Sequence, residues 1–220
     1  SSAASDVYKR QFQAFTKVLL LSFVFLFSVQ CSAADEKYKP GRHYEILSEP
    51  LPTRDSSKIE VIEFFWFGCG HCFSLEGMLQ EWKKNAPDSV DFLRYPVIWN
   101  KMVETHAKLF FIAQLLNKPE IIDGVFRTIH LQQRMLGSDQ EIIPFLKTYG
   151  VSQEQYQSLG NSFGLKNNLR KAELFGAKYG IKGVPALIVN GKYRVLGNRN
   201  IGTNDLLDVV DFLIEKERNN

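Results

Sequence analysis

The sequence predicts an α/β fold in which a small sheet-forming unit is interrupted by one long, all-helical stretch. Three observations carry this. An apolar run, Ile59–Phe65, leads into a segment of helical periodicity and then into a second apolar run at residues 90–97, the order of a parallel unit with a right-handed crossover. Residues 102–180 then change to an almost wholly helical pattern. After them, residues 186–196 read as an antiparallel hairpin, and a last amphipathic segment follows.

Lys17 precedes twelve mostly apolar residues, 18–29, and the small residues Ser32, Ala33 and Ala34 follow. This reads as a secretory signal peptide cleaved near Ala34, since a membrane anchor needs about 20 apolar residues. Cys31 follows Gln30, which is bulky and polar where a lipid-attachment signal wants a small residue, so Cys31 is expected to leave with the leader. Ser1 to Gln11 is polar and without pattern, and is set aside from the fold.

Residues 35–52 form a polar arm with Pro40, Gly41, Pro50 and Pro52 and room for one short strand at residues 44–47. The nearly continuous apolar character of Ile59–Phe65 suits a strand covered on both faces. Phe73, Leu75, Met78, Leu79 and Trp82 then form the stripe of a helix that ends near Asn85, just before Pro87. Residues 90–97 read as a second core strand.

Within residues 102–180, helical spacing recurs at Ala107, Phe110, Phe111, Gln114 and Leu115, and again at Leu165, Leu169, Ala172 and Phe175. Breaks fall at Lys118 and Pro119, at residues 136–138 and at residues 150–152. Asn190 and Gly191 tolerate the positive φ angles of a tight hairpin turn. Thr203 is expected to cap a final helix with Leu206, Val210, Leu213 and Ile214 on one face. The expected organisation is therefore a leader at 1–34, a sheet domain formed by 35–101 and 181–220, and a helical insertion domain at 102–180.

The 220-residue chain carries a net charge of +3. Without residues 1–34 it loses Lys9, Arg10, Lys17 and Asp6, leaving 24 basic and 23 acidic residues. Such a balance gives no footprint for nucleic acid. An exported chain can hold disulfides, but a structural framework would need several cysteine pairs. Beyond the leader there are only two cysteines, in the run Cys69-Gly70-His71-Cys72. One closely spaced pair argues for catalysis.

A thiolate attacks disulfides and a thiol does not, so a catalytic cysteine must be held ionised near neutral pH. Cys69 falls where the helix begins, where unpaired N–H groups and the positive end of the helix dipole favour an anion. His71 adds an imidazole beside it, and Cys72 lies one turn on, placed to close the disulfide from a buried position. Stabilising the thiolate stabilises the reduced form and makes the disulfide a stronger oxidant. Other readings fit less well. A structural zinc site needs four ligands, whereas His43, His71, His106 and His130 show no paired spacing. Covalent haem attachment needs histidine directly after the second cysteine, and Phe73 stands there. A purely structural disulfide across so short a loop would restrain little chain entropy.

Glu63 is a carboxylate in the middle of the apolar strand that leads to the dithiol. Buried, it would hold its proton more tightly and could exchange it with Cys72; near a sheet edge or a bound water it would be ordinary. His106 and His130 have no such context and read as surface or satisfied core residues. Pro185, after Gly183 and Val184, opens a strand, where a missing N–H costs nothing.

Together these positions resemble the DsbA-type thiol oxidases of the bacterial cell envelope, members of the thioredoxin superfamily. The resemblance rests on Ile62, Glu63, Phe64 and Phe65 leading to Cys69, His71 and Cys72, and on Gly183, Val184, Pro185 and Ala186 followed by residues 189–193. It implies a thioredoxin-like fold with an inserted all-helical domain. Cys69 would be the attacking sulfur, Cys72 the buried one, His71 a thiolate stabiliser and Glu63 the family's buried acid. Pro185 would be its cis-proline, offering backbone groups with Val184 to an extended substrate. Gly70 departs from the Pro-His pair of the best-known members and matches the pair typical of protein disulfide isomerases, so it would tune the driving force.

The expected activity is disulfide introduction into exported proteins in the periplasm, by a monomer needing no cofactor and reoxidised by a DsbB-like membrane partner. An isomerase or reductase using the same site is the nearest alternative. A non-catalytic chaperone module that keeps the dithiol for stability is more distant.

Overall fold

The computed structural model describes residues 36–219. The leader expected at residues 1–34 lies outside them. Five strands form one mixed sheet: β1 (Glu45–Ile46), β2 (Ile59–Phe65), β3 (Val90–Pro96), β4 (Ala186–Val189) and β5 (Tyr193–Leu196), in the order β1-β5-β4-β2-β3. β2 and β3 run parallel, while β2 with β4, β4 with β5 and β1 with β5 run antiparallel. Between β2 and β3 lies helix α1 (Gly70–Asn85). Residues between β3 and β4 form α2 (Lys101–Leu115), α3 (Glu120–Gln132), α4 (Asp139–Lys147), α5 (Gln153–Asn161) and α6 (Phe163–Lys178). A 3₁₀ turn at Thr203–Asp205 precedes α7 (Leu206–Arg218).

β2 is the inner strand that positions the site, and its burial explains its apolar run. Val61 faces a core shared with Leu75 and Leu79 of α1 and with Leu206, Val210 and Leu213 of α7. Ile62 and Phe64 face the opposite side, with Ile188, Val103 and Tyr179. A third core joins Phe65, Phe67 and Cys72 to the interior of the helices, including Leu109, Phe110, Phe126 and Leu165. The end of β2 and the dithiol therefore share one interior with the helical stretch.

Two sequence expectations need correction, and one helix break is added to those expected. Residues 90–97 were expected as a core strand, but β3 is at the sheet edge and mostly half-buried, because the chain leaves the sheet after it for the helices. Ser162 makes a further helix break: its hydroxyl accepts the Leu165 N–H at 3.2 Å and starts α6 directly after α5. Thr203 does not cap the final helix. It opens the 3₁₀ turn, and Asp205 takes the cap position of α7 without a side-chain bond.

The hairpin turn forms as the Asn-Gly pair requires. Asn190 and Gly191 have φ angles of 50° and 64°, and the Lys192 N–H donates to Val189 O at 3.0 Å. The N-terminal arm lies over this turn, with Leu51 N–H donating to Gly191 O at 3.0 Å. A Cβ at position 191 would sit 2.0 Å from Leu51 O. Gly191→Ala is thus expected to destabilise the protein by more than about 1–2 kcal/mol, the cost of left-handed backbone alone. Urea unfolding measures this, and an unchanged midpoint would show that the arm yields freely.

Candidate functional site

From the end of β2 the chain turns sharply: the Cys69 N–H donates to Trp66 O at 3.0 Å, and Cys69 itself becomes the N-cap of α1 with an extended backbone. Its sulfur accepts the Cys72 N–H at 3.4 Å, the service that a serine or aspartate oxygen gives at other helix starts. No acidic residue stands in the first turn of α1, so no carboxylate competes with the sulfur for the positive helix end. Cys69 is half-buried and Cys72 fully buried, and both are free thiols.

The two sulfurs differ sharply in acidity. Cys69 is pushed down to about 6, chiefly by a hydrogen bond from the Cys72 thiol; partial burial opposes this, and the N–H groups of Cys72 and His71 and the His71 charge reinforce it. Burial pushes the Cys72 thiol far above its usual value, and its bond to Cys69 and the nearby charges of Cys69 and Glu63 add to that. One site thus holds a thiolate beside a thiol that keeps its proton.

The second wall comes from the loop before β4. β4 pairs with β2 so that Ala186 faces Phe64, which brings Val184 and Pro185 level with the end of β2. The Val184–Pro185 peptide is cis. Pro185 is buried, Val184 is half-buried, and the Cys69 S–H donates to Val184 O at 3.4 Å. That carbonyl can accept from the thiol but has nothing to offer the thiolate. His71 is exposed, with Nδ1 at 3.2 Å from Thr203 Oγ1. Gly70 is also exposed, and a Cβ there would meet nothing within 4 Å, so no close packing demands glycine.

Glu63 is fully buried on an inner strand, away from the sheet edges. It is not alone. The parallel register sets Glu63 opposite Arg94, whose Nε donates to Glu63 Oε2 at 2.5 Å. Arg94 also grips Glu76 of α1 at 3.1 and 2.7 Å, and its guanidinium lies 4.5 Å from the centre of the Phe65 ring. Burial raises Glu63 to about 7; Arg94 opposes the rise and Glu76 adds to it. For Arg94, burial alone would lower the value, but the Glu63 and Glu76 carboxylates outweigh it and hold the guanidinium above its usual range. Glu63 Oε1 has no hydrogen-bond partner among the described residues, while Arg94 and Glu76 line a groove of about 970 Å³.

Two helices of the long stretch brace the turn that carries the dithiol. His106 of α2 is buried, accepts the Trp66 indole N–H at 3.0 Å on Nδ1 and donates from Nε2 to Met135 O at 2.6 Å. Of the two readings the sequence allows, surface or satisfied core, His106 is the second. His130 of α3 donates from Nε2 to Phe67 O at 2.7 Å and stacks on Phe73 at 4.7 Å. Nothing local in the sequence marks His130 or Glu76 as part of the site. An arginine inside the apolar run at residues 90–97 was the one available signal. Among the described residues no three His, Cys, Asp or Glu side chains group as metal ligands.

The family model described as DSBA-like thioredoxin domain matches residues 95–205. The thiol:disulfide interchange protein DsbA of Pseudomonas aeruginosa is 34% identical over 200 residues, covering 90% of this chain and 94% of that protein. The DsbA of Azotobacter vinelandii is 35% identical over 182 residues, covering 82% and 85%. The crystal structure of Pseudomonas aeruginosa DsbA superimposes with a TM-score of 0.77 at 35% identity, over 82% of this chain and 95% of that one. The oxidoreductase DsbA from Xylella fastidiosa matches the fold with a TM-score of 0.77 at 24% identity, over 84% of this chain and all of that one.

Because Glu63 keeps its proton up to about 7 instead of the ordinary 4.5, the folded reduced protein binds a proton between those values that the unfolded chain has released. Its stability should therefore fall as pH rises through that window. Glu63→Gln, which cannot ionise, is expected to remove this part of the pH dependence. Urea unfolding of both reduced proteins from about pH 4.5 to 8 checks it, and parallel profiles would contradict the raised acid.

Proposed function

The chain belongs to the DsbA family of thioredoxin-like thiol:disulfide oxidoreductases, and we propose that it introduces disulfides into exported proteins through Cys69 and Cys72. The observation that carries this reading is the Cys69 sulfur acting as N-cap of α1, with its acidity raised and that of Cys72 suppressed.

In the oxidised protein a substrate thiolate attacks Cys69 Sγ. The Cys69–Cys72 bond breaks, a mixed disulfide forms on Cys69, and Cys72 takes up a proton as it leaves. A second substrate thiolate then attacks the substrate sulfur of the mixed disulfide and expels the Cys69 thiolate. The substrate leaves as a disulfide, two electrons poorer, and both cysteines are reduced. Cys69 suits the acceptor role because it is the better leaving group of the two. Cys72, buried, is shielded from substrate.

Glu63 is the group that exchanges a proton with Cys72: it is buried, titrates near neutrality and acts electrostatically on that thiol. His71 favours the Cys69 thiolate through its N–H and its charge. Val184 and Pro185 are the substrate-facing loop, supported by the contact from Cys69 to Val184 O. The helical stretch of residues 102–180 forms an inserted domain that walls the site. Reoxidation falls to a DsbB-like membrane partner, and the periplasm is the compartment of action. No helix among the described residues is long and apolar enough to cross a membrane.

Gly70 is the observation that favours the opposite direction of electron flow, as in an isomerase or reductase. It occupies the first position of α1, where proline is well tolerated and pre-organises the helix start.

Two measurements test the reading. The alkylation rate of Cys69 against pH should show a midpoint near 6, as its raised acidity requires; a midpoint near 8.5, that of an ordinary thiol, would remove the catalytic assignment. Gly70→Pro should lower that midpoint and stabilise the fold by about 0.4–1 kcal/mol. An unmoved midpoint would release Gly70 from any tuning role.

A further inference from the structure

We propose that Thr203 is a positioning residue for the dithiol: its hydroxyl holds the His71 imidazole at the start of α1, where His71 sustains the Cys69 thiolate. His71 is exposed, so no apolar wall fixes its ring. Its Nδ1 lies 3.2 Å from Thr203 Oγ1, a contact that spans 132 residues of sequence.

The hydroxyl is well anchored for this task. Thr203 is half-buried in the 3₁₀ turn, which packs on α1, and the Gly202 N–H donates to Asp205 Oδ2 at 3.2 Å. Directly after the turn, Leu206 and Leu207 enter the core that holds Leu75 and Leu79 of α1. The element presenting the hydroxyl is thus clamped to the helix that carries His71. Thr203 is also spared the capping duty its residue type suggests, since the cap position of α7 belongs to Asp205.

The chemistry suits both ring states. A threonine hydroxyl donates one proton and accepts others. It accepts from Nδ1–H of an imidazolium, and it donates to Nδ1 of a neutral ring protonated on Nε2. Either way the ring is tied to Thr203 at the start of α1 instead of turning through solvent. Besides His71, Cys72 acts on Cys69, and Cys69 acts on Glu63, while the Thr203 hydroxyl bonds to His71.

The inference rests on Cys69 being the reactive thiolate, so the test separates the two. The ultraviolet absorbance of the thiolate is titrated in the full reduced chain for wild type, Thr203→Val, Thr203→Ser, His71→Ala and the His71→Ala/Thr203→Val double variant, with unfolding midpoints measured alongside. Thr203→Val should raise the Cys69 midpoint by about half a unit, about threefold in the ionisation constant. Thr203→Ser should restore it, and in the His71→Ala background Thr203→Val should add nothing. A depressed midpoint that ignores Thr203, or that shifts equally without His71, overturns this inference alone. A wild-type midpoint near 8.5 overturns the catalytic assignment with it.

Discussion

The sulfur of Cys69 caps a helix, and the rest of the site depends on that cap. A neutral thiol is a weak acceptor for backbone N–H groups, while a thiolate is a strong one. The donors at the start of α1 therefore favour the anion, the Cys72 thiol first and then the Cys72 and His71 N–H groups, and the unopposed helix dipole acts in the same direction. Forming the Cys69–Cys72 bond removes that anion and weakens the cap. The energy the fold gains from a capped helix is thus larger in the reduced protein, and this inclines the oxidised protein to give its disulfide away.

Cys72 makes the arrangement asymmetric. It shares a core with Phe65, Phe67 and Phe126, where an anion has no water to stabilise it. Beneath the dithiol, Arg94 binds both Glu63 and Glu76, and Glu63 has no access to solvent. Removing Arg94 would strand charge in the interior, a far larger disturbance than the loss of one surface pair. The helices close the assembly from the other side through His106 and His130, which grip the turn between β2 and α1 by its Trp66 side chain and its Phe67 carbonyl.

Much of this was legible in the sequence because it is local. The apolar run of β2, the cysteines at the helix start, the Asn-Gly turn and the proline just before β4 each carry their signal within a few residues. Glu63 drew attention because a carboxylate inside an apolar strand is costly without a partner. Its partners were not legible: they follow from the register of two parallel strands, which sets Glu63 opposite Arg94, and from the rotation of α1, which turns Glu76 inward. Likewise His130 lies 63 residues from the carbonyl it binds, and Thr203 lies 132 residues from His71. Residue type pointed Thr203 to a cap, and packing of the 3₁₀ turn on α1 gave its hydroxyl another partner.

The central claim is that the fold favours the dithiol over the disulfide. Equilibration of the protein with mixtures of reduced and oxidised glutathione at neutral pH, followed by acid quenching and alkylation of free thiols, measures this directly. Cys69 and Cys72 are expected to stay largely reduced even where oxidised glutathione is in excess. A disulfide that persists in predominantly reduced glutathione would contradict it.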